Sequence, residues 1–400
     1  MPWTTAAMGR RAVARHDERD RFRRILEGVL GEQATDGNRI DVLRNGDEIF
    51  PAMLDAIRRA RHTVDFLTFV YWEGAIGQEF AEALCERAKA GVRVRALLDA
   101  VGAYTMDREL LTRLRQSGAQ VEWFRPLARL RLWETNNRSH RKVLVCDEAV
   151  GFTGGVGIAD EWRGDARHRG EWRDTHFRLQ GPALGGLRAA FLDNWAESGQ
   201  PLFDERVDRF PDQPLVGDSP VQVVRGVSET GWSDITTLTR TLLELARHRV
   251  RLSTAYFVPD RETLGLLCAT ASRGVCVEVL LPGPHADKRF CQLASERQYA
   301  QLLEAGVRVH AFQPSMLHAK VMTVDGLVAN VGSANFNARS LNLDDEVNLV
   351  VHDPAVVAVL DGHMDEDCAR SVPVDPEVWA DRSMVARARE RGAGLLRRYL

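Results

Sequence analysis

The sequence predicts an α/β fold in which one domain occurs twice in tandem. Three observations carry this. Strand-like and helix-like segments alternate over most of the 400 residues. The alternation runs twice in the same order, the second set of strands lying about 185 residues after the first. Each copy closes on the same short signature: His140-Arg141-Lys142 followed by Asp147, and His318-Ala319-Lys320 followed by Asp325. A repeat this long is a duplicated domain, because solenoid repeats recur within about 50 residues.

The elements follow in order. Residues 1–36 are rich in arginine, and Phe22, Ile25, Leu26, Val29 and Leu30 share one face of an expected helix. This basic amphipathic arm either docks on the domain behind it or lies on an anionic bilayer. The first copy spans 37–200. Residues 63–71 read as a buried strand, 81–90 as helix and 91–98 as strand; 107–117 read as a helix leading into a strand-like run that ends at Pro126. Residues 201–220, with Pro201, Pro211, Pro214 and Pro220, read as the linker. The second copy, 221–375, repeats the order. It has a strand at 250–257, a helix at 261–273, a strand at 274–281, a helix near 290–304 and a strand-like run ending at Pro314. Residues 376–400 form a basic amphipathic tail, with Met384, Val385, Leu395, Leu396, Tyr399 and Leu400 interspersed among arginines.

Composition narrows the class. The chain carries 53 Lys plus Arg against 56 Asp plus Glu, with 44% hydrophobic residues. Those values exclude a disordered chain, and the near-neutral balance argues against a nucleic-acid partner recruited by bulk charge. The six cysteines form no CxxC pair, so neither a disulfide framework nor a structural zinc site is expected. No apolar run reaches 18 residues, so no transmembrane helix is predicted, and no secretory signal is read at the start. The expected location is cytoplasmic, with peripheral attachment to the cytoplasmic membrane.

Of the 53 basic residues, only Lys89, Lys142, Lys288 and Lys320 are lysines. Two of the four sit in the repeated signature. Where so depleted a chain keeps lysine, an ammonium is wanted that a guanidinium does not replace.

Both signatures read H-x-K-x-x-x-x-D. On a strand, His and Lys at i and i+2 face the same side. Asp147 and Asp325 fall at strand ends, and Asp325-Gly326 is a hairpin signal, so these aspartates suit support of the turn better than attack on substrate. A small-residue turn follows each His by fourteen residues: Gly154-Gly155-Val156-Gly157 and Gly332-Ser333-Ala334-Asn335. Asp174 and Glu346 lie at equivalent places, each eight residues before a proline. Each is expected to accept a hydrogen bond from the His of its own copy and so fix the tautomer.

This constellation resembles the phospholipase D superfamily, whose members join two His-Lys-Asp motifs in one site. The resemblance covers roughly residues 37–375, and within it the chain looks most like the bacterial cardiolipin synthase branch. The residues that carry it are Asn137-Arg138-Ser139-His140-Arg141-Lys142, Phe152-Thr153-Gly154-Gly155, Trp172-Arg173-Asp174-Thr175-His176, Tyr256-Phe257-Val258-Pro259-Asp260 and the run from Gly332 to Ser340. The first copy carries Gly157 where the second keeps Asn335.

The resemblance implies two tandem phospholipase D-like domains with pseudo-two-fold symmetry, each a mixed sheet flanked by helices. It implies a phosphatidyltransferase working through a phosphohistidine, with phosphatidylglycerol as the expected substrate and an anionic membrane surface as the expected partner. His140 is the implied nucleophile and His318 the acid and base. Lys142, Lys320, Asp147 and Asp325 complete the catalytic set. Gly155, Ser333 and Asn335 are the expected phosphate contacts. No metal or cofactor is expected, and two motifs in one chain need no oligomer. Hydrolysis to phosphatidic acid is the alternative reading, and nucleic-acid cleavage a weaker one. Residues 127–133, mixing apolar and cationic side chains, either form a lipid-facing lip or pack on the surface.

Overall fold

The structure, a computed structural model, describes residues 3–126, 137–203, 210–227 and 233–382, with side chains from residue 17 onward. A helix α1 (Trp3–Leu30) precedes the first copy. That copy comprises β1 (Thr35–Arg44), α2 (Asn45–Arg59), β2 (Thr63–Thr68), α3 (Ala75–Lys89), β3 (Arg93–Asp99), α4 (Arg108–Gln116) and β4 (Gln120–Phe124), then β5 (Val143–Cys146), β6 (Val150–Gly154), β7 (Thr175–Gln180) and α5 (Leu184–Glu197). The second copy comprises β8 (Ser219–Gly226), α6 (Asp234–Leu245), β9 (Arg249–Thr254), α7 (Arg261–Ser272), β10 (Cys276–Pro282), α8 (Arg289–Glu296), α9 (Tyr299–Glu304) and β11 (Arg308–Phe312). It continues through β12 (Lys320–Val324), β13 (Val328–Gly332), α10 (Ala338–Asn342), β14 (Glu346–Val351), α11 (Pro354–Ala369), β15 (Ser371–Pro373) and α12 (Pro376–Ala380).

The strand orders of the two copies match. The first runs β1-β7-β6-β5-β2-β3-β4 and the second β8-β14-β13-β12-β9-β10-β11. In each, the three strands farthest from β1 or β8 are parallel and the rest antiparallel. Helical crossovers between parallel strands and tight hairpins between antiparallel ones explain why both connection types occur.

The two sheets are fused. β1 pairs antiparallel with β8 through Thr35–Val221 and Asn38–Ser219, giving one mixed sheet of fifteen strands. The strands that make the seam begin at Thr35 and Ser219, inside the stretches read as arm and linker. β1 is polar and half-exposed along most of its length, so its pairing partners on both sides hold it rather than a hydrophobic run.

Three cores hold the layers. Ile49, Phe50, Phe66, Phe80 and Leu84 seat α2 and α3 on one face of the first half. Leu238, Leu242, Leu252 and Leu267 seat α6 and α7 on the second. The third core is shared: Leu187 and Phe191 of α5 and Val357 and Leu360 of α11 meet Val143 and Phe177 of one copy and Val331 and Leu349 of the other. Each such side chain contributes about 1.5–3 kcal/mol on burial, so the common core fixes how the copies face each other.

Two expectations at the ends are now placed. Phe22 and Leu26 of α1 are buried in the second copy's core, and Arg23 bonds Asp36 and Glu27, so this stretch takes the docked alternative. The expected helix near 290–304 is two helices, α8 and α9, and Tyr299 at the start of α9 packs against Trp379 at 5.0 Å between ring centroids. The tail residues Met384 to Leu400 and the segment 127–133 lie outside the described residues. Among those described, no helix is long and apolar enough to cross a membrane.

Candidate active site

The histidines lie just before the inner hairpin strands. His140 and Lys142 precede β5, while His318 precedes β12 and Lys320 opens it. Each His segment makes a short backbone ladder with the acid-bearing segment of the opposite copy. His140 N–H donates to the Asp345 carbonyl, and Asp345 N–H to that of Arg138. His318 N–H donates to the Arg173 carbonyl, and Arg173 N–H to that of Met316.

These ladders cross the acids over. His140 Nδ1 lies 2.9 Å from Glu346 Oε1, and His318 Nδ1 lies 2.8 Å from Asp174 Oδ2. The expectation that each acid serves its own copy's His is therefore corrected. Position in the repeat says which residues are equivalent, but the packing of the copies decides which ones touch.

The acids are backed differently. Asp174 accepts from Trp162 Nε1 at 2.9 Å and from the Thr175 N–H at 2.7 Å. Glu346 accepts from the Ser333 hydroxyl. Gly155 stands where Ser333 does in the other copy, and a Cβ on it would lie 2.2 Å from Asp174 Oδ1. The backbone N–H groups of Gly155 and Ser333 donate to Thr175 and Val347 carbonyls. Both positions thus support the carboxylates, which corrects their expected role as phosphate contacts. Asn335 lines a small pocket beside Lys320, with its Oδ1 buried and unpartnered. Gly157, its counterpart, has no room for a side chain: a Cβ there would meet Val70 Cβ at 2.6 Å.

Asp147 and Asp325 stand apart from this centre. Asp147 accepts N–H bonds from Arg61, His62 and Thr63, and Asp325 from Arg247, His248 and Arg249. Each lies five residues past its lysine, about 16 Å along a strand. Both tie the hairpin to the start of the neighbouring strand. Their inclusion in the catalytic set is corrected accordingly.

Burial dominates the electrostatics. His140 is held down to about 4 by burial, with Lys142 and Lys320 adding and Glu346 opposing. His318 is held down to about 4 by burial and then by Lys320, against Asp174. Burial likewise brings Lys142 down to about 7 and Lys320 to about 8. Burial resists ionisation of Asp174 and Glu346, but the adjoining cations and hydrogen bonds outweigh it and keep both below the usual carboxylate range. At pH 7 the arrangement is therefore two neutral imidazoles, each with Nδ1–H on a carboxylate and Nε2 carrying its lone pair. Lys142 Nζ donates to the His140 carbonyl at 2.7 Å, while Lys320 Nζ lies 2.9 Å from His318 Nδ1 and also donates to the His318 carbonyl.

Aromatic rings surround the histidines, and the sequence reading gave them no role. Phe69 lies 5.3 Å from His140 between centroids. Trp162, Trp172 and Tyr256 lie 5.1, 5.5 and 6.1 Å from His318. Phe69 and Tyr256 meet their imidazoles edge-on, at interplanar angles of 67° and 88°. Trp172 and Tyr256 stand in runs that carry the family resemblance, whereas Phe69 and Trp162 had no such signal.

Comparison with known proteins decides the family. The model described as "Cardiolipin synthase, PLD-like domain" matches residues 53–161 and 239–368. Cardiolipin synthase 1 of Bacillus cereus is 32% identical over 374 residues, 92% of this chain and 73% of that protein. The chain belongs to the cardiolipin synthase family of phospholipase D-like enzymes. Its activity class is that of a cardiolipin synthase-type phosphatidyltransferase. A second family member, the cardiolipin synthase of Geobacillus sp. (strain WCH70), is 33% identical over 360 residues, 89% of this chain and 71% of its own. Among solved structures, phosphatidylserine synthase of Haemophilus influenzae Rd KW20 superposes with a TM-score of 0.66 at 14% identity, covering 90% of this chain and 95% of that one. Polyphosphate kinase of Porphyromonas gingivalis gives 0.56 at 13% identity over 90% of this chain and 54% of its own. At such identities these two show a shared fold alone.

Proposed function

We propose that the chain joins two phosphatidylglycerol molecules through a phosphohistidine, releasing glycerol. The crossed His–carboxylate pairs carry this reading. They leave two Nε2 atoms as nucleophile and base, with Lys142 and Lys320 close by to offset charge on the non-bridging oxygens of a phosphodiester.

His140 Nε2 attacks phosphorus, and the bond from phosphorus to the headgroup glycerol oxygen breaks. His318, charged by a proton taken up as the anionic phosphodiester enters, gives that proton to the leaving oxygen. It then takes the proton of the acceptor lipid's hydroxyl, whose oxygen attacks phosphorus while the P–N bond breaks. Lys142 and Lys320 offset the charge on the non-bridging oxygens throughout.

The test is incubation with labelled phosphatidylglycerol vesicles. Cardiolipin with released glycerol supports the reading. Phosphatidic acid as sole product would replace it with hydrolysis, and inertness toward lipid with cleavage of single-stranded DNA would replace it with a nuclease. The enzyme is further proposed to work while attached peripherally to an anionic bilayer. Flotation with phosphatidylglycerol liposomes is the expected result, and failure to float would overturn the attachment.

A further inference from the structure

We infer that Tyr256, Asp287 and Lys288 form a subsite beside His318 that recognises the polyol headgroup of the acceptor lipid. This rests on the transferase reading above and deepens it. Tyr256 sits two residues past β9, with its ring edge-on to His318 at 6.1 Å between centroids. Its hydroxyl donates to Asp287 Oδ2 at 2.7 Å, and Lys288 Nζ lies 4.9 Å from the centre of the same ring. Asp287 and Lys288 are both exposed. One phenol ring thus joins a buried catalytic imidazole to a carboxylate and an ammonium open to solvent.

The chemistry of the three groups is complementary to one kind of acceptor. Asp287 Oδ1 also accepts the Lys288 N–H at 2.8 Å, so the carboxylate is anchored while lone pairs on both oxygens stay available. Anchored carboxylates accept strongly from vicinal hydroxyls. An ammonium next to it suits the phosphodiester of the same headgroup. Burial and the Asp287 charge push the Tyr256 phenol well up, so it stays protonated and keeps donating. The Asp287 charge also raises the proton affinity of His318 and Lys320, which places it within the electrostatic reach of the site.

Among the described residues, the first copy has no phenol at the place equivalent to Tyr256. Thr68 and Thr254, at equivalent strand ends, bond the carbonyls of Val70 and Tyr256 respectively, so the residue equivalent to Tyr256 is Val70. The acceptor is therefore recognised on the His318 side only, where a base is needed to take its proton. Lys288 is also one of only four lysines in the chain.

The experiment offers labelled glycerol and 1-propanol in competition to the full-length enzyme on phosphatidylglycerol vesicles, and measures the ratio of the two transfer products. A site built to bond hydroxyls rejects the alcohol lacking them. Wild type should favour glycerol. Asp287→Asn should lower the ratio by about tenfold or more, and Tyr256→Phe should lower it less. Lys288→Met should raise KM for the acceptor lipid in cardiolipin formation while leaving the ratio between the two uncharged alcohols in place. The ratio is internal to each variant, so a general loss of activity does not imitate the effect. Unchanged ratios in Asp287→Asn and Tyr256→Phe would overturn the subsite with the transferase reading intact. A wild type that forms no transfer product would overturn both.

Discussion

His140 and Glu346 are separated by 206 residues in sequence and meet at 2.9 Å. His318 and Asp174 form the reciprocal pair. Each imidazole is thus oriented by a carboxylate from the other copy.

This wiring has a direct spectroscopic test. Glu346→Gln should move the Nδ1 proton resonance of His140 and leave that of His318 in place, with the reverse for Asp174→Asn. Turnover should fall by about 10²–10⁴-fold in either variant, the usual cost of losing an orienting acid. A shift at the ring of the same copy would contradict the crossed pairing.

The order of the histidines is tested by trapping the phosphoenzyme. His318→Ala should still accumulate labelled phosphatidyl on the protein, slowly, because the nucleophile His140 remains while the acid for the leaving oxygen and the base for the acceptor are both lost. His140→Ala should show none. The opposite pattern would exchange the two roles.

The lysines set an alkaline limit. Burial brings Lys142 to about 7 and Lys320 to about 8, and only the protonated forms hold phosphate. The charged forms prevail below those values, so kcat/KM should decline as pH rises through 7 to 8 and beyond, since this ratio reports the free enzyme. The double variant Lys142→Arg, Lys320→Arg should lose that decline because guanidinium stays charged. It should also turn over about tenfold more slowly or worse, since a planar fork does not fit where a point charge bonds back to the His carbonyl. Wild-type rates in this variant would remove the argument for ammonium.

Gly155 is constrained by contact alone. A methyl there would press on the Asp174 carboxylate at 2.2 Å. Gly155→Ala should slow turnover by disturbing the support of His318. Ser333→Ala, which deletes the hydroxyl that donates to Glu346 and accepts the Val347 N–H, should cost less, on the order of 1–3 kcal/mol in activation free energy. Equal activity of Gly155→Ala and wild type would show that Asp174 has room to move.

Acid should destabilise the fold. Burial comes first among the causes that hold His140, His176, His318 and His352 to about 4 in the folded state. The unfolded chain protonates these groups near 6.5. Between those values the unfolded state binds more protons, so stability is fully present above about pH 6.5 and drains away toward pH 4. The melting temperature should fall steadily from pH 7 to pH 5. A flat profile would mean these rings find partners when charged.

Much of the site was legible because it is local. The two H-x-K-x-x-x-x-D runs, the alternation of strands and helices, and the scarcity of lysine are all visible within short windows. The crossing of Asp174 and Glu346 was not, because it depends on how β7 and β14 lie against the opposite hairpins. β1 escaped notice because a polar strand paired on both sides needs no hydrophobic pattern. Gly155 and Ser333 resembled phosphate contacts in sequence, yet their amides are consumed by the sheet. Lys288 stood out by rarity alone, and its place near His318 depends on the Tyr256 ring.

The crossed carboxylates also bear on how such a chain is inherited. Each half owns a histidine that it does not orient and an acid that it does not use, so neither half completes a site from its own residues. A change in one duplicate is felt by the chemistry of the other, and selection sees only the pair. The halves are free to differ where they meet different ends of the reaction, as Val70 and Tyr256 do, but at the four crossed residues neither is free to drift alone.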